Sequence, residues 1–270
     1  MVAFTRQPLI HKHDMIKFAF NTRPSWNASL LTFLLLAFAV PAPAKDAQPT
    51  PAKPGEWETL FSGKTHQFRG YKTYDFPKQS WKIERGELKS IAGAPQVDLV
   101  SVSMYEDFDL EIEWRVAPGA DGGVLYRVME DRGPTWHSGL EYQMIDDARN
   151  PEAKKGARST GSLYDVVAGK STASVKSAGQ VNTSVIRVRQ GVAEHWLNGE
   201  KVLSYQLGSA DFRSSVDQSK FKNLPRYGRE KEGHIGLQHM GSEVAFRSIR
   251  VRRLLSFPTQ FASPALSGNN

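Results

Sequence analysis

Hydrophobic and polar residues alternate along several short segments of this 270-residue chain. In residues 108–116 (FDLEIEWRV) every second residue is apolar, and the residues between them are charged. A period of two predicts a β-strand with one face buried and the other in water. Similar patterns occur at residues 124–129, 140–145, 185–189, 193–197 and 245–251. The middle of the chain is therefore predicted to be a series of strands.

Turn signals separate these segments. Asn198-Gly199 is a strong hairpin signal, because both residues tolerate the positive φ of a type I′ turn. No stretch of a dozen residues carries a convincing helical period; the nearest, residues 212–221, is short and polar. No internal repeat or change of composition interrupts residues 57–254. The pattern predicts one all-β domain, either a sandwich or a barrel.

The two ends of the chain differ from this middle part. Residues 30–40 (LLTFLLLAFAV) form an apolar run that follows Lys17 and Arg23 and precedes residues 41–44 (PAPA). This arrangement is typical of a secretory signal peptide cleaved after Ala44. The alternative is a membrane anchor, which needs about 20 apolar residues. We expect four segments: a signal peptide at 1–44, a linker at 45–55, the domain at 56–255 and a tail at 256–270.

Charge and cysteine content narrow the functional classes. The chain has no cysteine, which excludes a disulfide framework and a lipid attached to a cysteine. Of the formal net charge of +7, about +4 belongs to the part after residue 44, where charges of both signs are mixed. We therefore expect no nucleic-acid binding, no stable membrane insertion after cleavage, and a periplasmic or secreted location.

One predicted strand carries candidate chemistry. If the apolar residues of segment 140–145 face the core, Glu141 and Gln143 face the opposite way. A solvated strand face is the simpler alternative. The nearby residues Trp136 and His137, together with Asp146 at the end of the strand, mix aromatic and titratable groups. That mixture favours a sugar-binding or catalytic surface.

Two common kinds of site are not matched by this segment. A frequent retaining-glycosidase pattern, Glu-x-Asp-x-x-Glu, sets two carboxylates about 5 Å apart. Residues 141–146 read EYQMID, with an amide and a shorter acid at two of these places. Within 56–255 there is no His-x-His or Glu-x-x-His spacing. No cofactor is evident. A divalent metal could be bound only if ligands from distant strands come together in the fold.

Several motifs together carry a family resemblance. They lie at residues 121–127 (DGGVLYR), 139–147 (GLEYQMIDD), 160–165 (TGSLYD), 195–199 (HWLNG) and 233–241 (GHIGLQHMG). In this order they resemble the 3-keto-glycoside lyase/hydratase family, also called 3-keto-disaccharide hydrolases. The resemblance covers residues 56–254. It implies a concanavalin A-like β-sandwich, or jelly roll, and exported bacterial enzymes that act on oxidised sugars.

The chain departs from this family at two places. Family members commonly read Leu-Gln-x-His-Gly where residues 237–241 read LQHMG, so that His239 is displaced by one position. Strand alternation then predicts that His239 and Gln238 face opposite ways. The family's Pro-Pro after the Leu-Tyr-Asp segment is replaced by residues 166–169 (VVAG).

The resemblance also implies a reaction. A ketone at C3 acidifies the proton at C2, a base removes that proton, and the enolate expels the glycosidic oxygen from C1. Addition of water completes a net hydrolysis. The base is expected to be Glu141 or His137, with Arg127 and Gln143 near the ketone or enolate. The expected substrate-binding residues are Arg127, Gln143, Asp146, Tyr164, Tyr126, Trp136, Gln238 and His239.

Two other functional classes remain open. The first is a sugar-binding module without turnover, which would use Trp136, Tyr142 and Tyr126 as stacking platforms. The second is an interaction module of the cell envelope, which would present a partner interface and no sugar pocket. Neither class would convert a sugar chemically.

Overall fold

Strands dominate the computed structural model, which describes residues 55–131, 133–170 and 174–255. In chain order they are β1 (Trp57–Phe61), β2 (Phe68–Gly70), β3 (Trp81–Glu84), β4 (Glu87–Ser90), β5 (Leu99–Tyr105), β6 (Phe108–Val116), β7 (Asp121–Val128), β8 (Leu140–Ile145), β9 (Asn182–Arg189), β10 (Val192–Leu197), β11 (Glu200–Gln206), β12 (Gly233–Leu237) and β13 (Val244–Arg253). The strand with the clearest alternation, β6, has the predicted bounds.

The strands form two antiparallel sheets. The larger, with eight strands, has the order β11-β10-β9-β6-β13-β4-β3, and β1 also pairs with β13. The smaller has five strands in the order β2-β5-β12-β7-β8. The apolar residues that alternate in both sheets form one continuous core between them. The predicted fold is confirmed: an all-β, concanavalin A-like sandwich or jelly roll in a single domain.

One α-helix forms where the sequence pattern showed only a weak signal. Helix α1 covers Ala210–Asp217, and Ser209 caps it by accepting a hydrogen bond from the Phe212 amide at 3.1 Å. Phe212 is the buried residue of this helix. The helix is therefore stabilised by its cap and one aromatic anchor, which leaves no apolar stripe to detect in the sequence.

A loop covers the edge of the smaller sheet that β8 forms. All six residues of β8 are buried, although β8 is an edge strand. Backbone bonds from Gln143 to Ser162, from Gly161 to Gln143 and from Tyr164 to Glu141 tie the segment 160–164 along its edge. This loop protects the strand from pairing with other chains and shields it from water.

The predictions for the chain ends are not tested by this structure. The predicted signal peptide, most of the linker and the tail lie outside the described residues. Within the described ranges, no helix is long and apolar enough to cross a membrane.

Candidate functional site

Glu141 lies on the face of the smaller sheet that points away from the larger sheet. Its neighbours in β8, Tyr142 and Leu140, face the core, so alternation turns Glu141 outward. Its carboxyl group occupies space left by Gly123 of β7. A Cβ atom at Gly123 would lie 2.6 Å from Oε1 of Glu141 and 2.7 Å from its Cγ. The glycine of the motif at residues 121–127 therefore makes room for a buried carboxyl.

Two glutamines flank this carboxyl on the same face. Gln143 is directly opposite Gly123 in the β7–β8 pairing, and the backbone amide of Gln238 donates to the Gly123 carbonyl at 3.0 Å. The Gln238 side chain lies close enough to Glu141 to lower the pKa of its carboxyl. The side-chain carbonyl oxygens of Gln143 and Gln238 are buried and accept no hydrogen bond from the described residues. These two oxygens are available to hydroxyl donors of a ligand.

Burial controls the ionisation of Glu141. The pKa of Glu141 is raised to about 8, chiefly by loss of solvent, and the negative charges of Asp98 and Asp121 act in the same direction. The ammonium of Lys220 and the side chain of Gln238 act in the opposite direction. A carboxyl with a pKa near neutrality can exchange a proton with a substrate at physiological pH.

Lys220 lies in an aromatic cradle next to Glu141. Its Nζ is 4.2 Å from the ring centre of Tyr164, 5.0 Å from that of Phe221 and 5.7 Å from that of Trp136. Burial lowers the pKa of Lys220, while the charge of Glu141 raises it. Cation–π contacts of this kind hold an ammonium in place without neutralising it.

A short 3-10 helix, Thr135–His137, brings Trp136 and His137 to the same cluster. The Thr135 hydroxyl donates to the Asp98 carboxylate, which anchors this helix to the sheet. The rings of Trp136 and His137 meet edge-on with centroids 4.3 Å apart. Trp136 thus forms a wall of the cluster, and His137 joins the cluster through Trp136.

Of the predicted site residues, Glu141, Gln143, Gln238, Tyr164, Trp136 and His137 come together in this cluster. The others lie elsewhere. Tyr126 and Tyr142 are fully buried between the sheets, and the Tyr126 hydroxyl bonds to His195 at 3.0 Å. Neither ring has an exposed face, so the prediction of stacking platforms at these positions is wrong.

Three further predictions require correction or refinement. Both carboxylate oxygens of Asp146 accept backbone N–H groups, from Gly119 at 2.8 Å and Ala148 at 3.2 Å, so that Asp146 anchors a turn. The ring of His239 packs edge-on against the core residue Trp81, with centroids 5.6 Å apart. Arg127 lines a different cavity at one end of the sandwich, with its Nη1 bonded to the Glu230 carbonyl.

Sequence reasoning missed three residues of the cluster, which are Lys220, Asp98 and Asp121. Lys220 follows α1 by three residues, in a segment whose sequence resembles an exposed polar turn. Asp98 immediately precedes β5 and Asp121 begins β7, and neither position carries a signal of its own in the sequence. Tertiary folding alone places these three charges around Glu141.

The described residues contain no group of three or more histidine, aspartate and glutamate side chains placed to hold a metal ion.

Comparison with known proteins gives the cluster a context. A family model for the 3-keto-alpha-glucoside-1,2-lyase-like domain matches residues 56–252. A 3-keto-disaccharide hydrolase from Bacteroides thetaiotaomicron is 33% identical over 241 residues, which cover 77% of this chain and 82% of that protein.

Solved structures agree with this assignment. A candidate glycosyl hydrolase from Parabacteroides distasonis superposes with a TM-score of 0.67 at 28% identity, covering 74% of this chain and 94% of the other. A second one from the same species has a TM-score of 0.57 at 22% identity, covers 74% of this chain and 100% of the other, and so shares the fold. The resemblance found in the sequence motifs is confirmed: the chain belongs to the 3-keto-alpha-glucoside-1,2-lyase-like family.

Proposed function

We propose that this protein is an exported enzyme that cleaves 3-keto-glycosides by removing the proton at C2 and eliminating the glycosidic oxygen at C1. The relationship to a 3-keto-disaccharide hydrolase supports the broader statement that the chain is a carbohydrate-active, glycoside-acting enzyme. The observation that carries the finer proposal is the buried Glu141 carboxyl with a pKa near 8, next to a lysine and two free amide oxygens.

Glu141 is the base in this scheme. Its ionised carboxylate takes the C2 proton, and the electron pair of that C–H bond forms an enolate with the C3 oxygen. The enolate pair then forms the C1–C2 double bond, and the C1–O bond breaks. The leaving alkoxide takes up a proton, which gives the free alcohol and a 2-hydroxy-3-keto-glucal. Addition of water across the new double bond completes hydrolysis.

In this scheme Lys220, and not Arg127 as the sequence suggested, is the cation near the ketone or enolate. An ammonium beside Glu141 stabilises the negative charge that moves from the carboxylate to the enolate oxygen. The side-chain oxygens of Gln143 and Gln238 accept hydroxyl groups of the sugar ring. Trp136 offers an apolar wall for the ring, and Tyr164 is the candidate acid for the leaving oxygen.

The test is release of the aglycone from a chromogenic 3-keto-glucoside, compared with the unoxidised glucoside. The wild type should cleave the 3-keto compound alone, because the unoxidised sugar has no acidic C2 proton. Glu141→Gln should lower kcat by at least about 100-fold, as expected for loss of a general base. His137→Gln should lower the rate far less, because His137 is joined to the cluster only through Trp136 among the described residues.

Glu194→Gln is the matched control. Glu194 lies on β10 of the larger sheet and pairs with Lys201 at 3.0 Å. Its variant should keep wild-type turnover. Unchanged turnover in Glu141→Gln would remove Glu141 from the scheme. Tight binding of glucosides, with no product detected by mass spectrometry, would instead identify a sugar-binding module.

Export is part of the same proposal. The basic, apolar and small-residue pattern of residues 1–44 supports secretion, followed by action on sugars outside the cytoplasm. Determining the N-terminus of the mature protein by mass spectrometry tests it: the expected first residue is Lys45.

A further inference from the structure

A large cavity lies at one end of the sandwich, separate from the residues around Glu141. Its volume is about 850 Å³. Its walls come from the turn between β5 and β6, the β9–β10 turn, the end of β11, helix α1 and the segment 222–231. None of the residues of the Glu141 cluster lines it. The size is that of a site for a small organic ligand rather than for a single ion.

Arg127 is a buried cation among the charged residues of both signs that line this cavity. It sits in a bulge of β7, where Tyr126 and Arg127 together face one residue of β12, and its φ of 60° lies in the left-handed region. The bulge depends on Gly233, because a Cβ atom there would lie 2.4 Å from the carbonyl carbon of Arg127. The backbone thus aims this side chain toward the end of the sandwich.

The guanidinium of Arg127 is buried without full pairing. The residue is 7% exposed, and its Nη1 donates to the Glu230 carbonyl at 2.9 Å. Its Nε has no hydrogen-bond partner among the described residues. Burial lowers the pKa of Arg127, although a guanidinium stays charged at any physiological pH. A buried cation with a free N–H favours an anion as its partner.

Tyr227 supplies a second free donor to the same cavity. It is 3% exposed, and its hydroxyl has no partner in the described part of the chain. Its ring is stacked on Phe221 with centroids 4.1 Å apart, which fixes its position. Apolar side chains of Phe212, Leu207 and Val216 form another part of the wall. The cavity therefore combines two hydrogen-bond donors, which can bind an oxyanion, with an apolar surface.

We propose that this cavity binds an organic carboxylate of the size of one or two sugar rings, with the carboxylate held by Arg127 and Tyr227. A bare inorganic anion would leave most of the volume and the apolar wall unused. Two of the four carboxylates of the lining are themselves engaged: Glu230 pairs with Arg226, and Asp107 accepts the backbone amide of Gln190. The site stands on its own observations and does not depend on catalysis at Glu141.

Isothermal titration with D-glucuronate tests this proposal, with D-glucose as the ring without a carboxylate and inorganic phosphate as the bare oxyanion. The wild type and Glu141→Gln should bind glucuronate equally. Tyr227→Phe, which keeps the stacked ring, should weaken binding about three- to tenfold, and Arg127→Met should weaken it by at least about tenfold. Circular dichroism and thermal melting confirm folding of each variant.

Four outcomes would overturn the proposal. Equal affinity for glucose and glucuronate would refute recognition of the carboxylate. Loss of glucuronate binding in Glu141→Gln, with full binding in Tyr227→Phe, would place the ligand at the other site. Binding of phosphate without glucuronate would make this a site for inorganic anions. Absence of heat at tens of millimolar of every probe would show that the cavity binds none of them.

Discussion

At the scale of single residues, the properties of Glu141 come from its neighbours. Removal from water raises the pKa of its carboxyl, and the charges of Asp98 and Asp121 act in the same direction. Lys220 opposes them from its aromatic cradle. The balance leaves a carboxyl that is mostly protonated at pH 7, with about a tenth ionised and ready to act as a base.

The pH profile of turnover should follow this carboxyl. Because the base must be ionised, kcat/KM should rise with pH and level off above about 8. Lys220→Met removes a positive charge and should move the midpoint upward, while Asp121→Asn removes a negative charge and should move it downward. Steady-state rates from pH 5 to 10 measure both midpoints. Shifts in the same direction would contradict this electrostatic account.

Gly123 should be essential for the position of the carboxyl. In Gly123→Ala the new Cβ would meet Glu141 at 2.6 Å, so that the carboxyl must move. We expect kcat/KM to fall by at least about tenfold, as misplacement of a catalytic group does. Gly236→Ala is the matched control, because its Cβ would meet only side-chain atoms of Leu125 and Val128 at 3.3–3.4 Å. Comparable losses in both variants would contradict this role.

At the scale of elements, β8 owes its burial to the loop laid along its edge. The segment 160–164 forms three backbone hydrogen bonds with β8, and it contains Tyr164, a member of the cluster around Glu141. The same loop therefore closes the sheet edge and builds one wall of the candidate site. An edge strand without this cover would expose both its backbone groups and Glu141.

Substitution of Gly161 tests how closely this loop packs against its neighbours. In Gly161→Ala the new Cβ would lie 2.8 Å from Cγ2 of Val202, and the backbone φ is +85°. Gly179 has the same φ with nothing within 4 Å, so Gly179→Ala reports the backbone strain alone. We expect Gly161→Ala to reduce the free energy of unfolding by about 1–3 kcal/mol more than the control. Amide exchange of β8 should accelerate in Gly161→Ala only.

At the scale of the whole molecule, the two sheets enclose a polar network. His195 is fully buried, with Nδ1 donating to the Gly161 carbonyl at 2.8 Å and Nε2 accepting from Tyr126 at 3.0 Å. Tyr205 completes the network through its bond to the Tyr126 hydroxyl. Burial lowers the pKa of His195 to about 4, so the imidazole stays neutral in the folded protein.

This network predicts a loss of stability in acid. Between about pH 6.5 and 4 the unfolded chain binds a proton at residue 195 that the folded protein does not, so the free energy of unfolding falls as the pH falls. The contribution of His195 to this loss is on the order of 3 kcal/mol by pH 4. Urea unfolding at pH 7 and 4.5 should show a smaller difference in His195→Gln than in the wild type. Equal differences would refute the assignment to His195.

The sequence by itself determined where several of the strands lie and, in β6 and β8, which side chains share a face. Alternation in β6 predicted its bounds, and alternation in β8 separated Glu141 and Gln143 from the core residues. These properties depend on near neighbours in the chain, which a periodic pattern records. The family resemblance came from the same local motifs.

Only the tertiary structure decided which groups meet. Lys220, Asp98 and Asp121 reach Glu141 from separate parts of the chain, and a bulge sends Arg127 to another cavity although it lies in the same strand as Gly123. Tyr126 and Tyr142 follow the alternation of their strands into the core, against the stacking role expected of them. Burial, charge and close approach across strands depend on three-dimensional packing, which no local pattern contains.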